Sequence, residues 1–262
     1  MIKVLGRKKR TEHKRWVEAF ENIEKLVSRA EVIEATEKAI VEIQKTTRGK
    51  HAAYSWSGGK DSIVLADVCK KAGLEESMFA HTELEYPAFF KWCNEHKPEG
   101  CETINIGYDL DWIIEHPNML FPNEKDHQRW MLIYQRKAFT QYFFGNKLDM
   151  LLVGHRKADG NICGDNNIIQ KKSGEVRYSP LADWPHELLL AYIHYFKLDM
   201  PPCYGWKDGY RKGTHPWAGR TGMKTLEQGY SEVYEIDPQV VIEAARKLDS
   251  ARAFLERRTY GT

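Results

Sequence analysis

Apolar side chains recur at Trp16, Phe20, Ile23, Val27 and Ala30, in steps of four and three that share one helical face. Ser28 and Glu31 have capping-box spacing, so a second helix is predicted to begin there, with Ile33, Ala39, Ile40 and Ile43 on its apolar side. Gly49, in "TTRGK", is its predicted stop. Strand and helix signals then alternate. "HAAYSW" reads as a first strand and Lys60 to Ala72 as a helix. "SMFAHT" reads as a second strand, and "YPAFFKWCNEHK" as a helix with Pro87 in its first turn. "CETINIG" is a third short strand, with "DLDWIIEHP" after it. A helix is predicted from about Lys125 to Asn146, and "DMLLVG" has the composition of a buried fourth strand.

The remainder is less regular. Residues 160 to about 176 are polar and rich in Gly and Asn, and read as a mobile loop. Asp183 is placed to cap a helix beginning near Trp184–Pro185. Trp184, Tyr192 and Tyr195 read as core. "DMPPCYGWKDGYRKGTHPWAGRTG" is a Gly-, Pro- and aromatic-rich loop, and "IDPQVVIEAARKLDSARAFLERR" reads as one helix with Asp237 as N-cap and Pro238 first.

This order predicts an α/β fold: a doubly wound, Rossmann-like, mainly parallel sheet with N-terminal helices and a helical C-terminal extension. The expected division is 1–48 for the basic arm and first helices, 49–200 for the α/β unit and 201–262 for the basic loop and extension. In such sheets ligands bind beyond the carboxyl ends of the strands. Two segments occupy such ends: the Ser57–Ser62 turn and "GHRKADG" after the fourth strand.

The turn "SWSGGKDS" carries the chemistry. Gly58 and Gly59 give the backbone conformational freedom, and any strand-to-helix turn can use that. A turn that ends on a helix N-terminus also aims N–H groups and a positive dipole at an anion, to which Ser57 and Ser62 add hydroxyls and Lys60 a cation. A lysine in a first helical turn is slightly unfavourable without an anion; the alternative is a solvent-exposed side chain. Asp61 is ordinary first-turn chemistry, or a metal or ribose contact. Arg156 follows a buried strand, where a guanidinium can grip phosphate or join a salt bridge at the sheet rim. His155 reads as structural before catalytic. Lys207, Arg211, His215 and Arg220 form a basic group for a second anion or an acceptor, or else a solvated loop.

Composition narrows the classes. The 262 residues are 42% hydrophobic and 29% charged with a net charge of +2, which is ordinary for a globular chain. Five cysteines without close spacing point to reduced thiols, a cytoplasmic setting and no iron–sulfur or metal cluster. No apolar run reaches the roughly 20 residues of a membrane span, and the basic start "MIKVLGRKKRTEHKR" lacks the apolar core of a secretory signal. Its "RKKR" and "HKR" runs leave nucleic-acid contact open. A homodimer is compatible with the sequence, which does not specify one.

"SWSGGKDS" resembles the SGGxDS motif of the PP-loop ATP pyrophosphatases, the adenine nucleotide alpha-hydrolase-like superfamily of HUP-type folds. Within it, "HTELEYPAFFKW", "RKAFTQYFFGNKLDMLLVGHRKADG" and "YSPLADWPHELLLAYIHYFKLDMPPCY" resemble, in order, segments of the PAPS reductase family. The resemblance spans roughly residues 35 to 220. It implies that Ser57, Gly58, Gly59, Lys60, Asp61, Ser62, Thr82, Gly154 and Arg156 bind the nucleotide, ATP or PAPS with Mg²⁺, and that Lys60, Asp61 and Arg156 take part in catalysis. His81 and Glu83 depart from the family's Asp and Gly. The family's C-terminal catalytic cysteine is missing, as are the paired cysteines of the cluster-bearing reductases; Gly213-Thr214 stands where Gly-Cys occurs. The expected activity is therefore transfer of an adenylyl group to an unknown acceptor with release of pyrophosphate. The alternatives are PAPS reduction or binding with an external thiol, for which only Cys163 and Cys203 lie in loops that could reach a ligand, and a nucleotide-sensing or nucleic-acid-associated protein without turnover.

Overall fold

The computed structural model describes residues 1–260, apart from the side chains of Lys9, Met131, Ile133, Gln135 and Tyr260. Its centre is a six-stranded sheet of order β3-β2-β1-β4-β6-β5, built from β1 (Ala52–Trp56), β2 (Ser77–His81), β3 (Glu102–Asn105), β4 (Met150–Leu152), β5 (Ile168–Gln170) and β6 (Val176–Tyr178). All neighbours are parallel except β5 against β6. The chain winds from β1 outward through β2 to β3, then returns to lay β4 on the other side of β1. The strand order therefore reverses between β1 and β4, where a crevice opens at the carboxyl ends. This is the doubly wound, HUP-type fold expected from the alternating pattern.

Helices cover both faces. Three precede the sheet: α1 (His13–Glu21), α2 (Ile23–Leu26) and α3 (Arg29–Thr47). The Ser28–Glu31 capping box forms, with each side chain bonding the other residue's backbone N–H. The single face read from Trp16 to Ala30 breaks at Asn22, whose backbone N–H and side-chain amide both donate to Glu18 O; Val27 is then extended, which lets Ser28 act as a cap. After β1 come α4 (Lys60–Lys71), α5 (Pro87–His96), α6 (Leu110–Glu115) and α7 (Glu124–Gly145). In α4, Val64, Leu65, Val68 and Cys69 are fully buried. α8 (His186–Tyr195) packs on α1 to α4, and almost every one of its residues is inside. A short α9 (Gly209–Lys212) precedes α10 (Leu226–Ile236), α11 (Pro238–Ala244) and α12 (Asp249–Tyr260).

Three local expectations need correcting. Residues 160–176 are not a featureless loop: they hold a 3-10 turn at Asp165–Asn167 and β5, which pairs with β6 across Lys171–Gly174. Each strand is three residues long and partly exposed, too short for alternation to register. Asp183 does not cap α8; Pro185 precedes it without a side-chain cap, and Asp183 accepts from Lys157 and Asn167. The final segment is two helices, not one. The bend at 245–248 buries Leu248 and turns α12 so that Phe254 packs beside Tyr230 and Tyr234 of α10. Asp237 does cap α11, accepting from Gln239 N–H.

Candidate functional site

The turn between β1 and α4 is shaped from within. Ser62 Oγ donates to Gly59 O at 2.9 Å and accepts from Ser57 N–H at 3.0 Å, while Ser57 Oγ lies 3.1 Å away. Gly58 has φ +66°, and a Cβ there would lie 2.7 Å from Cys93 Sγ and 3.1 Å from Phe89. Both the left-handed backbone and the close approach of α5 therefore require glycine. Lys60 N–H donates to Tyr204 Oη at 2.9 Å, tying the start of α4 to the 3-10 turn at Pro202–Gly205. Gly154, just past β4, stands so near the first turn of α4 that a Cβ would come 3.3 Å from Ser62 N. Asp61 and Ser62 keep N–H groups that the helix itself leaves unbonded.

Charge behind the turn is organised in a buried cluster. Lys60 is 0% exposed, not the surface lysine that the turn's position allowed. Its Nζ donates to both oxygens of Asp61, at 3.0 and 2.7 Å, with Asp159 Oδ1 at 3.9 Å. Arg156 is also fully buried. Its Nε donates to Asp61 Oδ1 at 2.6 Å and its Nη1 to Trp184 O at 2.9 Å, while Nη2 lies 2.8 Å from Asp159 Oδ2 and 3.1 Å from His186 Nδ1. Burial alone would raise the Asp61 carboxyl, but Arg156 and Lys60 outweigh it and hold the group well below the usual carboxylate range. Burial, then the charges of Arg156 and Lys60, bring His186 down to about 4, so it is neutral at pH 7.

A cavity of about 700 Å³ opens over this turn. Ser55, Ser57, Asp61, Ser62, Gly154, His155 and Asp159 border it on the side of the sheet. Phe79, Phe89, Trp130, Tyr134 and Phe139 give it aromatic walls, and Lys8, Arg211, Lys212, His215 and Arg220 a basic one. His155 is brought down to about 4, by burial first and then by Arg177 and Lys171. Glu85 stands in the wall with Oε1 accepting from Thr82 N–H and Oγ1–H, while Oε2 is cut off from solvent without a partner. Burial pushes its carboxyl up to about 7, against the opposing Thr82 hydrogen bonds.

The structure thus brings together most of the residues singled out in the sequence, in unequal roles. Ser57, Asp61, Ser62 and Gly154 border the cavity, with Gly58 and Gly59 shaping the turn. Thr82 is buried and bonds Glu85, and Lys60 and Arg156 lie behind Asp61. Of the basic group, Arg211, His215 and Arg220 reach the cavity. Lys207 does not: it is on the surface with Glu235. Cys163 and Cys203, the two whose loops could reach a ligand, are both buried. Cys163 faces the carbonyls of His155 and Asn161, and burial lifts the Cys203 thiol to about 12. Sequence reasoning did not place Ser55, Glu85, Tyr134 or Asp159 in the site, and it read Lys8 only as part of the "RKKR" run. Asp159 left a signal as an acid three residues after Arg156 in a strand-end segment.

The chain falls in the PP-loop, adenine nucleotide alpha-hydrolase-like superfamily. The family described as phosphoadenosine phosphosulfate reductase domain matches residues 51–212, and the chain belongs to that family. Among solved structures, a phosphoadenylyl-sulfate (PAPS) reductase from Candida auris in a phosphate complex is 14% identical. It covers 73% of this chain and 96% of its own, with a TM-score of 0.52, a likeness of fold. An NH3-dependent NAD synthetase from Campylobacter jejuni is 19% identical over 83% of this chain and 93% of its own, with a TM-score of 0.43. No curated protein matches the chain. No helix among the described residues is long and apolar enough to cross a membrane.

Proposed function

We propose that the cavity holds an adenine nucleotide with its phosphates over the Ser57–Ser62 turn, and that the protein is an enzyme that transfers the adenylyl group of ATP to an acceptor, releasing pyrophosphate. The observation that carries this reading is the set of first-turn N–H groups and hydroxyls at Ser57–Ser62 facing a cavity whose wall, among the described residues, holds no thiol. Hydroxyls of Ser57 and Ser62 and the first-turn N–H groups of α4 are fixed before the ligand arrives. They can therefore stabilise charge that builds on phosphate oxygens as the α-phosphorus is attacked. Arg156 and Lys60 act through Asp61, keeping it ionised and aimed.

Among the described residues no group of three or more His, Cys, Asp or Glu side chains forms a metal site. A nucleotide-bound Mg²⁺ needs only one or two carboxylates. Asp61 and Asp159 border the turn, and Asp159 Oδ1 is buried without a hydrogen-bond partner, so these two fit that need. Bound there, Mg²⁺ would neutralise phosphate charge. His155 borders the cavity and is neutral at pH 7, so it can accept a proton from an acceptor.

The test is the product. Incubation of ATP with acceptor-containing extract fractions should yield AMP or an adenylylated acceptor, with pyrophosphate. ADP as the main product would exclude attack at the α-phosphorus. Reduction of PAPS remains the second reading, favoured by the family match; thioredoxin-dependent sulfite release from PAPS would establish it in place of adenylyl transfer.

A further inference from the structure

The basic N-terminal run is not left in solvent. Residues 1–11 cross the helical layer and are pinned at several points. Val4 and Leu5 N–H both donate to Glu187 Oε1, at 2.6 and 2.7 Å, and Ile2 N–H donates to Leu26 O at 2.7 Å. Glu187 lies on α8 and is 1% exposed, so a buried carboxylate serves as the anchor. Gly6 N–H donates to Thr11 Oγ1, and a 3-10 turn at Lys8–Arg10 follows. This path carries Lys8 to the cavity, opposite the sheet, with Nζ 3.1 Å from where a Cβ on Gly213 would stand.

Lys8 is half-buried, and among the described residues no carboxylate pairs with it. Beside it in the same wall is Arg220, 1% exposed. Arg220 Nε donates to Glu232 Oε1 at 2.8 Å and its guanidinium lies 5.5 Å from the Tyr86 ring centre, but its Nη2 is buried without a hydrogen-bond partner. Lys212 shares the Glu232 carboxylate, so one acid answers two cations. Both Lys8 and Arg220 act on the partly buried His215, together with His127 and Lys212, which puts their charges in one region. The other acids near these charges are Asp208, beside Arg211, Glu124, and Asp61, whose carboxyl the Lys8 charge helps to hold down without a direct ion pair. By contrast, Lys60 and Arg156 behind the turn are already matched by Asp61 and Asp159. A desolvated guanidinium donor and an ammonium without an ion pair, on two residues that border one cavity, are costly unless an anion joins them.

We propose that the N-terminal arm is part of the ligand site: it delivers the Lys8 ammonium to share, with the free Nη2 of Arg220, one phosphate-like group of the nucleotide. This inference rests on the reading of the cavity as a nucleotide site. Both residues lie outside the region that the family match covers, at 51–212. The arm's anchor on Glu187 then sets ligand affinity at a distance, because it holds Lys8 in place.

The experiment measures ATP and adenosine binding by calorimetry for the full chain and for Lys8→Ala, Lys8→Arg and Ser57→Ala. Lys8→Ala removes a half-buried ammonium that has no ion pair among the described residues, so melting without ligand should not fall. The expected result is a five- to twentyfold loss of ATP affinity, no change for adenosine, and recovery of most of the loss in Lys8→Arg. Unchanged ATP affinity in Lys8→Ala, or an equal loss for ATP and adenosine, overturns the role of the arm. Ser57→Ala separates the two ideas. Loss there with none at Lys8 keeps the phosphate turn and rejects the arm; loss at Lys8 with none at Ser57 keeps the arm and rejects the turn.

Discussion

Arg156 Nε donates to Asp61 Oδ1 at 2.6 Å, joining the segment after β4 to the first turn of α4 across 95 positions of sequence. Asp61 also takes both contacts from Lys60 Nζ, so one carboxylate at the cavity edge is held by two buried cations. Such a pair contributes geometry more than net stability, but removing one member leaves an uncompensated buried charge.

Lys60 and Ser57 should therefore separate fold from binding. Lys60→Met leaves Asp61 and Asp159 short of a cation and should cost about 3 kcal/mol of stability, read by urea denaturation, with ATP affinity reduced as well. Ser57 is exposed, and Ser57→Ala should leave the urea midpoint in place while weakening ATP. A Lys60→Met protein as stable as the parent would contradict the buried cluster.

Gly58→Ala should be strongly destabilising, because it combines a φ of +66° with a methyl 2.7 Å from Cys93 Sγ. The double variant Gly58→Ala, Cys93→Ala removes the sulfur but neither Phe89 nor the backbone strain. Thermal melting should show partial recovery, and full recovery would mean that the turn tolerates a side chain at Gly58.

Glu85 makes stability depend on pH. Burial raises its folded pKa to about 7, above the ordinary value of 4.5. Stability that is fully present below pH 4.5 is thus lost as the pH rises through 7. Glu85→Gln imitates the neutral form, so it should melt like the parent at pH 5 and higher than the parent at pH 8, by about 3 °C. Equal melting at both values would show that Glu85 is ionised at little cost.

All five thiols should be silent in the folded protein. Cys69, Cys93, Cys101, Cys163 and Cys203 are buried, and burial raises each thiol, so none offers a thiolate at neutral pH. An aromatic disulfide reagent should titrate none before denaturation and five after it. A Cys163→Ser, Cys203→Ser double variant should keep nucleotide binding, and the parent should release no sulfite from PAPS with thioredoxin. Rapid labelling of one native thiol would reopen the reductase reading.

The sequence by itself determined the parallel α/β order, the Ser28–Glu31 cap, the Asp237 cap and the glycine turn at a strand end. These are local matters: a period of 3.6 or 2, a cap three residues from its partner, a left-handed residue between strand and helix. The resemblance carried by the quoted motifs also identified the family. Tertiary structure decided what the charges do. Lys60 and Arg156 are surface-compatible residue types that packing against Trp16, Trp184 and His186 withdrew from solvent, and no sequence spacing reveals that. It buried Cys163 and Cys203, sent Lys207 to the surface and paired β5 with β6. Lys8 reached the cavity because Glu187, about 180 positions away, accepts the arm's N–H groups. Contacts at that separation depend on how the helical layers pack, a property that local pattern does not encode.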